Sequence, residues 1–292
     1  MPVTNISKTI NPYLQLMRFD RPIGTLLLLW PTLWGLWVAA EGVPPFKYLL
    51  IFGLGVFLMR SAGCVVNDIA DKDFDGKVTR TKERPLAVNN LPVKNALVFF
   101  ITLLLMAASL LFFLNKLTII IAVIAAFFAI TYPFMKRHTY LPQLYLGVSF
   151  ALSIPMAFAQ LRGNVPVEAW LLFIANIFWT TAYDTMYAMV DRKDDMKAGI
   201  KSTAILFGEL DYIIIAIIQA MMLLVLTLLG LKLEMNTPYY IGLVLIVLLF
   251  VYQNQLLRSR NISNYFKAFL NNNWVGLVLF CGIFISYVSI AP

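Results

Sequence analysis

Charge is scarce in this sequence. Asp, Glu, Lys and Arg make up 13% of its 292 residues, against 60% hydrophobic residues. A soluble domain carries roughly 25% charge. A chain this apolar cannot cover its surface with polar side chains, which excludes a soluble globular enzyme. Cysteine and histidine are also nearly missing, at 2 and 1. Cys64 and Cys281 lie in apolar runs with no CxxC or metal-ligand spacing, so they read as buried small residues. His138 follows a basic pair and reads as a loop residue rather than a general base. The apolar runs do not alternate with polar residues, which argues against a transmembrane β-barrel. The stretch from Met1 to Asp20 holds no apolar segment ending in a cleavage site. The first apolar run, flanked by Arg18 and Arg21, is therefore expected to remain as a span.

What is present is a series of long apolar runs. A spanning helix needs about 20 apolar residues. Nine segments qualify: 22–40, 46–66, 95–114, 117–134, 142–160, 167–190, 211–231, 237–256 and 273–290. The sequence therefore predicts an all-α, polytopic membrane protein, a single domain over residues 1–292 with nine transmembrane helices. The fourth segment is short and reads as tilted or partly re-entrant. Turn signals separate the runs, among them Gly42 to Pro45, Arg162-Gly163-Asn164 and Asn236-Thr237-Pro238. Asn271 to Asn273 is expected to be a surface turn. Trp30, Trp34 and Trp37 share one face of the first span and read as packing or interface residues. Met221 and Met222 are expected in the core or facing lipid.

Nineteen of the 23 Lys and Arg fall on one side of this topology, counting Arg60 with the loops; Lys47, Lys116, Arg162 and Lys232 fall on the other. The asymmetry places the N-terminus and alternate loops in the cytoplasm and the C-terminus outside. It also accounts for the net charge of +8 without a nucleic-acid partner. Glu41, Glu168 and Glu234 are the acids on the outer side. The other 12 of the 15 are cytoplasmic, a bias that topology does not require.

Those acids concentrate at two span ends. The second span closes on Asn67-Asp68-Ile69-Ala70-Asp71-Lys72-Asp73-Phe74-Asp75, and the sixth on Asp184 to Asp195. At the helical rotation of about 100° per residue, Asp71 and Asp75 fall on the same face as Asp68, whereas Asp73 faces away. By the same rotation Tyr187, Asp191 and Asp195 share the face of Asp184, the last two most closely aligned with it. Each helix end thus carries a three-carboxylate stripe: Asp68, Asp71 and Asp75, then Asp184, Asp191 and Asp195. Asp184 follows Asp68 at the same interval at which Asp191 follows Asp75. This hints at a four-helix pseudo-repeat, about 20–138 and 139–256, followed by a ninth helix.

Like charges on one face repel unless a counter-charge is present. Carboxylate oxygens suit Mg²⁺, commonly held by one or two carboxylates together with substrate phosphates. A lone DxxD would read as a solvated loop; two in-phase stripes at matching span ends read as a Mg²⁺ site for a diphosphate. Bases lie in the same loops. Arg80, Lys82 and Arg84 follow the first stripe, and Lys136 and Arg137 follow the fourth span. Such side chains bind phosphate oxygens strongly.

At these residues the chain resembles the UbiA-type intramembrane prenyltransferases. Asn67 to Asp75 match the family's NDxxDxxxD motif, and Tyr187, Asp191 and Asp195 match its YxxxDxxxD motif. Thr81 to Leu86 match TKxRPL, and Tyr132 to Lys136 match YxxxK, with no departure at the motif positions. Met17-Arg18-Phe19-Asp20-Arg21-Pro22-Ile23-Gly24, Leu28 to Trp34, Tyr183-Asp184-Thr185 and Gly199 to Ala204 are similar to the bacterial 4-hydroxybenzoate polyprenyltransferases of ubiquinone synthesis. The likeness runs from Arg18 to about Gly208; the last three spans are generic. It implies nine helices around a central cavity with cytoplasmic capping loops, in the bacterial inner membrane. It implies Mg²⁺-dependent transfer of a polyprenyl group from its diphosphate to the ring of 4-hydroxybenzoate, ortho to the hydroxyl. The metal ligands would be the six stripe aspartates. Asp191, Tyr187 and Tyr132 would be catalytic, the two tyrosines sheltering an allylic cation. Asn67, Arg80, Arg84, Lys136 and Arg137 would bind the donor. Arg21 would hold the benzoate carboxylate, since a guanidinium suits a planar carboxylate. The partners expected are the two substrates and the bilayer, with no obligate protein partner evident. A naphthoate or haem prenyltransferase stays open as an alternative, as does a cation or phosphate transporter, although transporters place charge near the bilayer centre on broken helices.

Overall fold

The computed structural model describes residues 11–76 and 80–289; Lys8, Lys77, Thr79 and the end of the ninth expected span lie outside them. Among the described residues the chain is all helix and turn. A short N-terminal helix, α1 (Pro12–Leu16), precedes α2 (Ile23–Ala40), α3 (Phe46–Asp75), α4 (Val93–Ser109) and α5 (Lys116–His138). Then come α6 (Pro142–Ala151) and α7 (Ser153–Arg162), two halves of one traverse, and α8 (Val167–Ala198). A short α9 (Thr203–Phe207) leads into α10 (Asp211–Lys232), followed by α11 (Thr237–Arg258) and α12 (Ile262–Val288). Among the described residues, eight of these segments are long and apolar enough to cross a membrane. With α8 they match the nine expected spans, and the protein is a membrane protein.

Two boundaries and the grouping of one cation differ from the sequence expectation. The fourth span is a full 23-residue helix, α5, that starts at the Asn115 cap, whose side chain accepts from the Thr118 amide. The ninth begins at Ile262, so Asn271 to Asn273 lie inside α12 rather than in a turn. Arg60 lies inside α3, not in a loop. The polar triplet on α12 is a hub. Asn271 Oδ1 accepts from Gln253 Nε2 on α11 at 2.9 Å, Asn272 Oδ1 from Trp179 Nε1 on α8 at 2.9 Å, and Asn273 Oδ1 from Trp30 Nε1 on α2 at 2.9 Å. Successive residues point about 100° apart, so three adjacent amides reach three different helices. Polar side chains join spans in this way because lipid offers no alternative partner.

The main core lies among α2, α7, α8, α10, α11 and α12, around Trp34, Phe158, Trp179, Tyr183 and Met186. Trp34 and Trp179 stack at 5.0 Å, and Trp34 Nε1 donates to the Gly276 carbonyl. Gly276 has to be small, because a Cβ there would run into the Trp30 ring and meet Trp179 at 3.0 Å. Met222 is fully buried and Met221 faces outward. A second cluster of Leu16, Leu58, Val65, Leu86 and Leu103 anchors α1 and the loop after α3 against α3 and α4. Where α2 and α7 end and α8 starts, Arg162 donates to the Val38 and Ala39 carbonyls and pairs with Glu41 and Glu168. It satisfies the Ala39 carbonyl left open by the end of α2 and adds to the Val38 carbonyl, which also accepts from the Glu41 amide at 3.3 Å.

Candidate active site

The site is built on two helices that continue past their apolar stretches. α3 runs 30 residues to Asp75, and the Thr81 hydroxyl donates to the Asp75 carbonyl at 3.0 Å. α8 runs 32 residues to Ala198 and ends at Gly199, whose φ of 71° lets the chain reverse while the Ile200 amide donates to the Asp195 carbonyl. Both acid stripes are therefore helical. Asp68, Asp71 and Asp75 are 0%, 2% and 4% exposed, whereas Asp73 is exposed. On α8, Asp184 is buried and Asp191 and Asp195 are half-buried.

The bases close on these acids. Arg84 pairs with Asp75 at 2.9 Å and with Asp68 at 3.2 Å. Arg18 reaches Asp68 at 2.5 Å, and Lys136 pairs with Asp71. Arg80 holds the α8 stripe, with Nη2 on Asp191 at 2.5 Å and Nε on the same carboxylate at 3.0 Å. Its guanidinium also lies 4.5 Å from the Tyr187 ring centroid. Tyr187 in turn stacks on Phe269 of α12 at 4.7 Å. Tyr132 on α5 lies in electrostatic range of Asp184, Asp71 and Tyr187. The loop after α3 and the end of α5 thus bring Tyr132, Lys136, Arg80 and Arg84 to both stripes.

Charge states follow from these neighbours. Burial pushes the Asp75 carboxyl above its ordinary range; Arg84 opposes this, and Asp71 and Asp68 add to it. Burial, then the adjacent Asp191, push Asp195 up to about 7 despite Lys136 and Arg80. Burial disfavours the charge on Arg80, but Tyr187, Asp191 and Asp195 outweigh it and hold its pKa above the usual value.

The donor set fits Mg²⁺ in a particular way. Asp68 Oδ2 and Asp71 Oδ1 are buried oxygens with no hydrogen-bond partner, a costly arrangement unless a cation serves them. Yet among the described residues no three acidic, His or Cys side chains converge into a closed metal cage. Two free hard oxygens without a cage suit an ion that completes its shell with substrate phosphate.

Not every expected contact gathers here. Asn67 is half-buried on α3, about 100° from Asp68 on the Asp71 side. Arg137 donates to the Ala70 carbonyl and, with Lys136, lines a cleft of about 320 Å³ against Gly199. Arg21 has a 64% exposed side chain, 3.5 Å from Asp20. It lines a surface groove of about 340 Å³ with Leu26, Phe266, Leu270 and Trp274. Two cations to which the sequence assigned no role are drawn in instead. Arg18 adopts φ 56° and reaches Asp68. Arg60, two turns before Asp68 on the same helix, lies against Gly24 and in electrostatic range of Tyr132, Tyr183, Tyr187 and Asp184. Its Nε is buried without a hydrogen-bond partner. A charged residue inside an apolar run is itself a signal of function, and Arg60 within α3 is such a residue.

The model of the UbiA prenyltransferase family matches residues 28–283. The chain belongs to that family. It is 54% identical to a 4-hydroxybenzoate octaprenyltransferase of Tolumonas auensis, over 94% of this chain and 96% of the relative. It is 53% identical to one of Alcanivorax borkumensis, over 96% of each. Its fold is similar to that of a UbiA homologue from Aeropyrum pernix, with a TM-score of 0.78 and 20% identity over 92% of this chain and 98% of that one. A UbiA homologue from Archaeoglobus fulgidus, solved with GPP and Mg²⁺, matches with a TM-score of 0.75 and 17% identity over 96% and 100%.

Proposed function

We propose that this enzyme transfers a polyprenyl group from polyprenyl diphosphate to 4-hydroxybenzoate in ubiquinone biosynthesis, with Mg²⁺ as cofactor. The observation that carries the reading is the meeting of two acid stripes, one buried and one partly buried, with four bases at one end of the bundle. The acceptor follows from relatives 54% and 53% identical over nearly the whole chain, whose name also supports an octaprenyl donor. The positive-inside asymmetry supports a site facing the cytoplasm and a periplasmic C-terminus in the bacterial inner membrane.

In this reading carboxylates of the two stripes would hold Mg²⁺, which would supply positive charge against the leaving diphosphate. Arg80, Arg84, Lys136 and Arg18 supply fixed positive charge around the same oxygens. The allylic C–O bond breaks with its electron pair leaving on the diphosphate. The electron-rich ring carbon ortho to the hydroxyl forms the new C–C bond. The ring then loses its proton to a base and regains aromaticity. The faces of Tyr187 and Tyr132 shelter the allylic cation. Arg60 is the cation inside the bundle suited to the benzoate carboxylate, a role the sequence assigned to Arg21. The polyprenyl tail lies among the apolar faces, and the polar headgroup at the acid stripes.

The test is an assay in membranes with 4-hydroxybenzoate, a dihydroxynaphthoate or haem as acceptor and octaprenyl diphosphate as donor. Mg²⁺-dependent formation of octaprenyl-4-hydroxybenzoate is the expected result. Turnover of another acceptor with none of 4-hydroxybenzoate would overturn the assignment.

A further inference from the structure

We infer that Asp211 is a positioning residue for the acidic end of α8. This rests on the reading of Asp191 and Asp195 as metal-binding residues. α8 is packed in the core as far as Met189, but none of residues 190–198 is buried. Packing alone therefore does not fix the two turns that carry Asp191 and Asp195, and helix ends of this kind open locally at low cost. Arg80 holds the overhang from the substrate side through Asp191. The opposite hold comes from Arg192, the next residue, whose guanidinium points about 100° away and donates to Asp211.

Asp211 is built for this. It is fully buried at the start of α10. Its carboxylate also accepts from Arg260 Nη1 at 2.8 and 3.0 Å and from the Tyr212 amide at 2.6 Å. Arg260 is itself anchored on the Glu209 carbonyl at 2.6 Å, and the Tyr212 ring lies 5.3 Å from Arg260 and 5.6 Å from Arg258. One buried carboxylate thus ties the loose end of α8 to the start of α10 and the turn before α12. Asp211 is fully buried and held by Arg192, Arg260 and the Tyr212 amide, so its influence on the reaction acts through Arg192.

The experiment compares Asp211→Asn, Arg192→Gln and Arg260→Gln in purified protein. Arg260→Gln removes the second guanidinium but keeps the Arg192–Asp211 pair. Four quantities are read: Mg²⁺ half-saturation of turnover, KM for 4-hydroxybenzoate, Mn²⁺ binding by EPR with inorganic diphosphate present, and Tm. Asp211→Asn and Arg192→Gln are expected to weaken Mn²⁺ binding and raise Mg²⁺ half-saturation about 10-fold. The KM for 4-hydroxybenzoate should change by less than about twofold. Arg260→Gln should lower Tm and leave metal binding unchanged. Unchanged metal binding in the first two variants, or an equal shift in Arg260→Gln, overturns the inference. Should Asp211→Asn fail to fold, Arg192→Gln decides alone. Asp191→Asn is the reference: if it too leaves Mn²⁺ binding unchanged, the metal-site reading fails, whereas loss there with no effect of Asp211→Asn removes only the positioning role.

Discussion

Asp73 and Asp71 differ by two positions on one helix, yet one is exposed and the other 2% exposed and paired with Lys136. That contrast gives a direct residue-scale prediction. Asp71→Asn and Asp191→Asn should lower kcat/KM at limiting Mg²⁺ by roughly 100-fold, while Asp73→Asn keeps most activity. A steady-state Mg²⁺ titration of the three variants checks it; equal losses in all three would reject the stripe assignment. A second prediction separates the two candidate carboxylate partners. Losing a charge-assisted bond to the acceptor costs about 1.5–3 kcal/mol, so Arg60→Ala should raise the KM for 4-hydroxybenzoate about 10-fold or more. Arg21→Ala should change it little, and neither should alter the KM for the donor comparably. A larger acceptor effect in Arg21→Ala would restore the sequence expectation. A third follows from Asp195, pushed up to about 7 by burial and Asp191. Below pH 7 the proton competes with metal, so apparent Mg²⁺ affinity should fall by up to about tenfold per pH unit. In metal-free protein the sign for stability runs the other way. A raised carboxyl pKa favours the folded state at low pH, and this stabilisation is lost as pH rises through about 7. An Asp195→Asn variant with an unchanged pH profile would contradict both.

Among elements, α12 shows what the sequence could and could not tell. Its apolar C-terminal half was legible as a span. Its first half was not, because Asn271, Asn272 and Asn273 resemble turn residues when their partners, 18 to 243 positions away, are unknown. The acid stripes were legible because helical phase is a local property: residues three and four apart share a face whatever they pack against. The bases that close on the stripes were only partly legible. Arg80, Arg84 and Lys136 lie in sequence beside acids or tyrosines, whereas Arg18 is separated from Asp68 in the chain by α2 and most of α3 and Arg60 lies within a span. The triplet also gives a stability prediction. Interhelical hydrogen bonds in membranes average about 0.6 kcal/mol and reach about 1.7 kcal/mol. Asn272→Leu loses the bond from Trp179 and crowds a fully buried site, so it should destabilise by about 1–2 kcal/mol. Thermal unfolding in detergent reads this directly, and an unchanged Tm would show that the triplet is not a structural hub.

At the level of the whole molecule, scarcity of charge is the organising feature. With few ionisable side chains available, the chain places most of its acids at one end and interleaves them with bases. The apolar remainder is what a lipid-borne donor requires. The central claim is that this acid–base end performs metal-dependent prenyl transfer to 4-hydroxybenzoate. The most direct measurement is product formation by purified protein from octaprenyl diphosphate and 4-hydroxybenzoate, with Mg²⁺ and with a chelator, in wild type and Asp191→Asn. The account predicts prenylated 4-hydroxybenzoate only in wild type with Mg²⁺. Equal product in the chelated reaction, or undiminished product from Asp191→Asn, would contradict it.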